Sequence, residues 1–270
     1  TSRAGSNTKS PISSSNMPHK LIVLRHGESQ WNHENKFCGW IDIPLLEKGK
    51  KEAFHAGELL RKYDIKPSVM YTSMLQRLIK TGHIILETIQ RMWIPHVKSW
   101  RLNERHYGAS QGRDKSEVYK EYGKEKYQYY RRNFHAIPPL AKAQNDPSID
   151  ERYEGLLNTK KPSGESLETT MQRLIPYVET EIVQKHILEK DETVLVVTHG
   201  LIVRSLIKHF CHVSDENISK INAPTGVPLV FELDNDGKLI GDYYYLDEEL
   251  ARKGIEKVAR EGQDLLKAKV

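Results

Sequence analysis

Apolar residues fall along this chain in two rhythms: short unbroken runs, which read as buried strands, and spacings of three to four residues, which read as helices. Leu21-Ile22-Val23-Leu24, Val69-Met70-Tyr71-Thr72 and Thr193-Val194-Leu195-Val196-Val197-Thr198 are of the first kind, the last being the strongest. Leu229 to Leu233 and Tyr243 to Leu246 supply further strands around the turn Asp234-Asn235-Asp236-Gly237. Helical spacing appears in Ala53, Ala56, Gly57 and Leu60 within 47–61, and in Leu75, Leu78, Ile79, Gly82, Ile85, Leu86 and Ile89. It returns from Ser166 to about Glu189, where Glu165 and Glu168 suit the positive end of the helix dipole and Pro176 predicts a kink or break. Residues 201–211 and the charged segment from Glu248 complete the set.

Strands alternating with helices predict an α/β fold: a three-layer, doubly wound, mostly parallel sheet with helices on both faces. Asn103 to Ile149 breaks the rhythm. It holds aromatic and charged residues and the pair Pro138-Pro139, and is expected to be part of an insertion, about 103–160, folded over the sheet. The expected organisation is one domain over 18–270. Residues 1–17, rich in serine, read as a disordered leader or cloning remnant.

Composition narrows the picture modestly. At 270 residues the chain can bury one sizeable core, and no run of eighteen apolar residues predicts a membrane-spanning helix. Cys38 and Cys211 are the only cysteines, too few for a disulfide framework or a thiolate metal site, which fits a reducing, cytoplasmic setting. The formal charge is +5, of which Arg3 and Lys9 in the leader account for two. That excess suits small anionic substrates and is weak for nucleic acid. Lys115 to Arg132 interleaves tyrosines with six basic residues, but Glu117, Glu121 and Glu125 interrupt any stripe that would track a phosphate backbone. No nucleic-acid or membrane partner is expected.

Chemistry concentrates at strand ends. The first strand ends in Arg25-His26-Gly27-Glu28 and the strongest one in His199-Gly200. In a parallel sheet both loops leave the same edge, where open α/β sheets place their ligands. A neutral histidine with one ring nitrogen free is a good phosphoryl acceptor, and arginine neutralises phosphate oxygens in bidentate fashion. Arg25 and Arg77 are the candidate clamps. Each histidine alone is more often a packed residue; two His-Gly strand ends with an arginine favour a site. The block Trp100-Arg101-Leu102-Asn103-Glu104-Arg105-His106-Tyr107-Gly108 adds a carboxylate beside a cation and a phenol, suited to moving a proton while holding an anion. No His-Glu-x-x-His, cysteine pair, dinucleotide fingerprint or P-loop is present, so phosphate chemistry without a metal or a nucleotide is expected.

Together with Leu21 to Asn32, Phe37-Cys38-Gly39-Trp40, Tyr71-Thr72-Ser73, Arg131-Arg132, Glu165-Ser166-Leu167 and Ala223 to Pro228, these motifs resemble the cofactor-dependent phosphoglycerate mutases of the histidine phosphatase superfamily. The similarity spans roughly residues 19–268. It implies interconversion of 3-phosphoglycerate and 2-phosphoglycerate, primed by 2,3-bisphosphoglycerate and needing no metal. By the family pattern His26 carries the phosphoryl group, Arg25, Arg77 and His199 hold it, and Glu104 is the general acid/base. Ser29, Asn32, Cys38, Gly39, Arg105, Tyr107, Lys115, Arg131, Arg132 and Gly200 match substrate-holding positions. The tail, about 248–270, would be a mobile cover, and a homodimer or homotetramer is implied. Gly39 matches the mutases, whereas relatives specialised for making bisphosphoglycerate carry a bulkier residue. Leu201 departs from the pattern, replacing an asparagine that contacts substrate, a loss of about 1–3 kcal/mol. A bisphosphoglycerate mutase or phosphatase of the same superfamily, or a weakened paralogue with a binding or regulatory role, are the competing readings.

Overall fold

The computed structural model describes residues 17–156 and 161–267, with side chains placed to Glu261. The expected leader therefore lies, Met17 apart, outside the described residues. Strand β1 (His19–Arg25) is followed by a short helix α1 (Gln30–His33), then α2 (Glu47–Lys62), β2 (Val69–Thr72), α3 (Gln76–Thr88) and β3 (His96–Lys98). Helix α4 (Lys115–Arg132) and α5 (Leu167–Tyr177) precede β4 (Val194–Thr198) and α6 (Gly200–Cys211). The described chain closes with β5 (Leu229–Leu233), β6 (Tyr244–Tyr245) and α7 (Glu248–Lys267).

The strands form one sheet in the order β3-β2-β4-β1-β5-β6. The first four are parallel, and β5 and β6 add an antiparallel edge. Covering both faces explains the unbroken apolar runs 21–24 and 194–197 in the central strands. Leu21, Val23, Val194 and Val196 pack on one face against Leu174 of α5 and Ile202 and Leu206 of α6. Ile22, Leu24, Leu195 and Val197 pack on the other against Ala56 and Leu60 of α2 and Leu78 and Ile85 of α3. The three layers expected from the alternation of strands and helices are present.

Pro176 does not stop its helix. The chain passes from α5 directly into a π-helical stretch, Val178–Leu188, with Ile182, Val183 and Ile187 still in the core. Proline removes one N–H from the helical ladder and crowds the carbonyl four residues back, and a wider turn relieves both without breaking the packing. The expected kink is thus a change of helix type.

The aperiodic insertion also holds a helix. Asp114 caps α4, its carboxylate accepting from the Ser116 and Glu117 amides, and the helix is interrupted at Gly123, which has φ +78°. That interruption lets Val118, Tyr119 and Tyr127 gather on Phe37 as a small satellite core. Tyr119 and Tyr127 meet at 5.2 Å and Tyr122 and Tyr130 at 5.6 Å, ring on ring. Much of the tyrosine series is spent on internal packing.

Candidate active site

Strand register builds the centre of the site. Arg25 of β1 pairs with Thr198 of β4, and the His26 amide donates to the Thr198 carbonyl at 3.0 Å. The next residues, His26 and His199, therefore leave the sheet side by side, their rings 5.5 Å apart edge to face and both buried. Turning away from β1 depends on two glycines. A Cβ on Gly27 would lie 2.2 Å from the Gly49 carbonyl oxygen, and one on Gly49 would lie 2.2 Å from that of Glu28. The loop and α2 meet backbone to backbone.

His26 Nδ1 lies 2.6 Å from the carbonyl oxygen of Gly27, which can only accept, so Nδ1 carries the proton and Nε2 keeps its lone pair. Burial, then the charges of Arg77 and Arg25, hold its pKa well below the ordinary histidine value despite the carbonyl bond. The ring is neutral and its tautomer fixed. Arg77, fully buried, donates to the carbonyls of Ile41 and Gly39 at 2.8 Å each and lies 3.3 Å from His199 Nδ1. A guanidinium only donates, so His199 Nδ1 accepts and its Nε2–H donates to Ser73 Oγ at 2.9 Å. In this tautomer His199 offers no free N–H to an anion and fixes Arg77 instead. Burial, then Arg77, holds its pKa well below the usual value as well. Arg25 donates to the Ala223 carbonyl at 2.7 Å, and the buried Nε atoms of Arg25 and Arg77 have no hydrogen-bond partner. Gly200 permits this arrangement, because a Cβ there would approach Arg25 Nε to 3.0 Å.

Glu104 faces the same space from the insertion. One carboxylate oxygen accepts from the Arg105 amide at 3.0 Å and the other from the Leu201 amide at 3.4 Å, at the N-terminus of α6. Its own carbonyl receives Trp40 Nε1 at 2.7 Å and Arg173 Nη2 at 2.9 Å. Arg173 also pairs with buried Glu165 and donates to the carbonyls of Arg101 and Asn103. Sequence reading missed Arg173, because one arginine on a helix carries no signal until its partners are known.

Two connected cavities result. The inner one is lined by Arg25, His26, Asn32, Cys38, Gly39, Arg77, Glu104, Tyr107 and Lys115. The outer one shares several of these and adds Arg105, Arg131, Arg132, Gly200, Leu201 and Arg204. Ser29 is not on either wall; with Asn32 it forms the capping box of α1. Arg105 lines the outer cavity while its Nε and Nη2 are held by the carbonyls of Glu165, Tyr130 and Ala136. Gly39 has φ +53°, and a Cβ would meet Gln111 Oε1, which is already held by the Trp40 and Tyr107 amides. Burial pushes the Cys38 thiol up, and burial with Glu104 pushes the Tyr107 phenol up to about 12.

Positive charge in the outer cavity is poorly compensated. Burial, then Arg131 and Arg25, pushes Lys115 down to about 7, and burial, then Arg131, pushes Arg132 down to about 10. Helix α7 crosses the mouth with Gly254, Lys257, Val258 and Glu261 on the wall, and Lys257 Nζ lies 3.7 Å from the Glu28 carboxylate. Among the described residues no cluster of three or more His, Cys, Asp or Glu is placed to hold a metal ion. No described helix is long and apolar enough to cross a membrane.

A buried, neutral strand-end histidine between fixed arginines marks a class of protein, and comparison agrees. The profile of the histidine phosphatase superfamily, branch 1, matches residues 21–145 and 140–244. Phosphoglycerate mutase 1 of Saccharomyces cerevisiae is 46% identical over 246 residues, covering 90% of this chain and 99% of its own. The 2,3-bisphosphoglycerate-dependent phosphoglycerate mutase of Corynebacterium jeikeium is 45% identical over 258 residues, covering 93% and 99%. The chain belongs to the phosphoglycerate mutases of the histidine phosphatase superfamily. Among solved structures, Bacillus stearothermophilus YhfR superposes with a TM-score of 0.64 at 25% identity, covering 84% of this chain and 99% of that one. A mycobacterial glucosyl-3-phosphoglycerate phosphatase shares the fold, with a TM-score of 0.62 at 22% identity over 79% and 92%.

Proposed function

We propose that this protein is a glycolytic phosphoglycerate mutase of the cytoplasm, interconverting 3-phosphoglycerate and 2-phosphoglycerate through a phosphoryl group carried on His26. The observation that carries this is the fixed His26 tautomer, with Nδ1 tied to the Gly27 carbonyl and Nε2 in a cavity shared with Arg25, Arg77 and Glu104. Bound 2,3-bisphosphoglycerate supplies the priming phosphoryl group. The unpartnered Nε atoms of Arg25 and Arg77 and the surplus of cations fit a ligand bearing several anionic groups.

His26 Nε2 attacks phosphorus, and the departing oxygen takes a proton from Glu104. In the return step Glu104 removes a proton from the accepting hydroxyl, and the N–P bond breaks as the new O–P bond forms. Arg25 and Arg77 neutralise the non-bridging oxygens during both transfers. Lys115, Arg131 and Arg132 hold the remainder of the substrate. A homodimer or homotetramer is the expected assembly.

The test is to incubate the purified protein with 2,3-bisphosphoglycerate, look by mass for an acid-labile phosphate on His26, then supply 3-phosphoglycerate. Appearance of 2-phosphoglycerate is the expected result. Release of inorganic phosphate alone would assign a phosphatase, and absence of a phosphoenzyme would leave a binding or regulatory protein.

A further inference from the structure

Helix α6 presents three residues to the outer cavity: Gly200, Leu201 and Arg204. Gly200 has no side chain, and Leu201 packs with Leu167 and Ile218 in an apolar cluster. Arg204 is the one side chain of α6 on that wall with hydrogen-bond donors. Its Nη2 donates to the Ile218 carbonyl at 2.8 Å, while Arg132 Nη1 donates to the next carbonyl, Ser219, at 3.0 Å. The short turn Asn217–Lys220 thereby holds two guanidinium groups side by side. Burial, then Arg132, pushes Arg204 down to about 10, so a second positive charge is kept where the fold alone disfavours it. Among the described residues Arg204, Arg131 and Arg132 form no ion pair, the Glu104 carboxylate on the same wall acts on Arg204 only at longer range, and the buried Nε of Arg204 has no partner. Two guanidiniums fixed through backbone carbonyls, with donors left over and no ion-paired carboxylate, form a fork-shaped receptor for an oxyanion.

We propose that Arg204 is a specificity-determining residue that binds, together with Arg132, the anionic group of the substrate that is not transferred. That group is the carboxylate or the second phosphate. The proposal rests on the mutase reading above and deepens it by dividing the site: phosphoryl transfer in the inner cavity, recognition of the spectator anion in the outer one.

The test measures KM and kcat for 3-phosphoglycerate, the half-saturating concentration of 2,3-bisphosphoglycerate, and inhibition by inorganic vanadate, which has no second anionic group. Wild-type turnover tests the mutase reading independently. Arg204→Gln should raise KM for 3-phosphoglycerate, the half-saturating bisphosphoglycerate concentration, or both, by about ten- to a hundred-fold, while vanadate inhibition shifts less than about threefold. Because 3-phosphoglycerate keeps its own phosphate as a spectator while its hydroxyl accepts the phosphoryl group, both ligands carry both candidate anions. Competition by glycerate, which has the carboxylate alone, separates them: weakened competition assigns the carboxylate and unchanged competition the second phosphate. Arg204→Lys, which keeps the charge and loses the fork, should fall between the two and guards against misfolding of the glutamine variant. A change under threefold in both ligands, or equal weakening of vanadate, would overturn the proposal, the latter because it would mark Arg204 as a structural tie to the Asn217–Lys220 turn.

Discussion

The inner and outer cavities are built on opposite principles. In the inner one His26, His199 and Arg77 each have partners supplied by the backbone or a neighbouring side chain, and little can move without breaking a hydrogen bond. In the outer one Lys115, Arg131, Arg132 and Arg204 lie close together with no ion-pair partner among the described residues. The scaffold thus fixes the reacting atoms before substrate arrives, whereas the recognition surface holds repulsion that only an anion relieves. The first arrangement favours rate and the second favours binding at a cost in ligand-free stability.

Removing the nucleophile should widen that contrast most. His26→Ala should cut kcat by roughly four orders of magnitude or more with an unchanged circular dichroism spectrum, while outer-cavity binding of 3-phosphoglycerate, read by calorimetry, persists. An active variant would sink the phosphohistidine mechanism. Glu104→Gln comes next: the proton shuttle is lost, and kcat should drop by about 10²–10⁴ in steady-state assays.

Lys115 tests the cost on the recognition side. Unfolded, its ammonium holds a proton to about pH 10.5, and folded only to about 7, so between those values the unfolded chain binds more protons. Stability of the ligand-free protein from this group therefore rises as pH climbs from about 7 towards 10.5. It is lowest below 7, where the charge is buried in full. Lys115→Met should raise the ligand-free melting temperature at pH 6 and do so less at pH 9; an equal shift at both values would show that the charge is not the cause. Substrate affinity of the unmodified protein should weaken above pH 7 for the same reason.

The smallest effect is expected at Leu201. Its side chain sits in an apolar cluster, and its amide, present in any residue, is what reaches Glu104. Leu201→Asn should change kcat/KM by less than about threefold and cost about 1–2 kcal/mol, a drop of a few degrees in Tm. A tenfold gain in activity would mean that the outer cavity is short of a polar contact at that point.

What the sequence disclosed and what it hid follows the same division. The strands are legible because burial on both faces forces apolar runs, and the histidines are legible because they end those runs. The capping box at Ser29 and Asn32 is local too, and Asn32 also lies on the cavity wall. Arg173 and Arg204 are invisible because their meaning comes from carbonyls about 70 and 14 residues away in the chain. The break of α4 at Gly123 and the widened turns after Pro176 arise where local geometry yields to packing, which leaves no period to read.

The contact of Gly27 with Gly49 has a consequence for how this enzyme can vary. Gly27 is required by the backbone of Gly49 and Gly49 by the backbone of Glu28, so no second substitution at either position restores the fit once the first is made. The pair offers no compensating path, unlike a core contact where a smaller partner accommodates a larger one. Libraries randomised at both positions should return glycine at both.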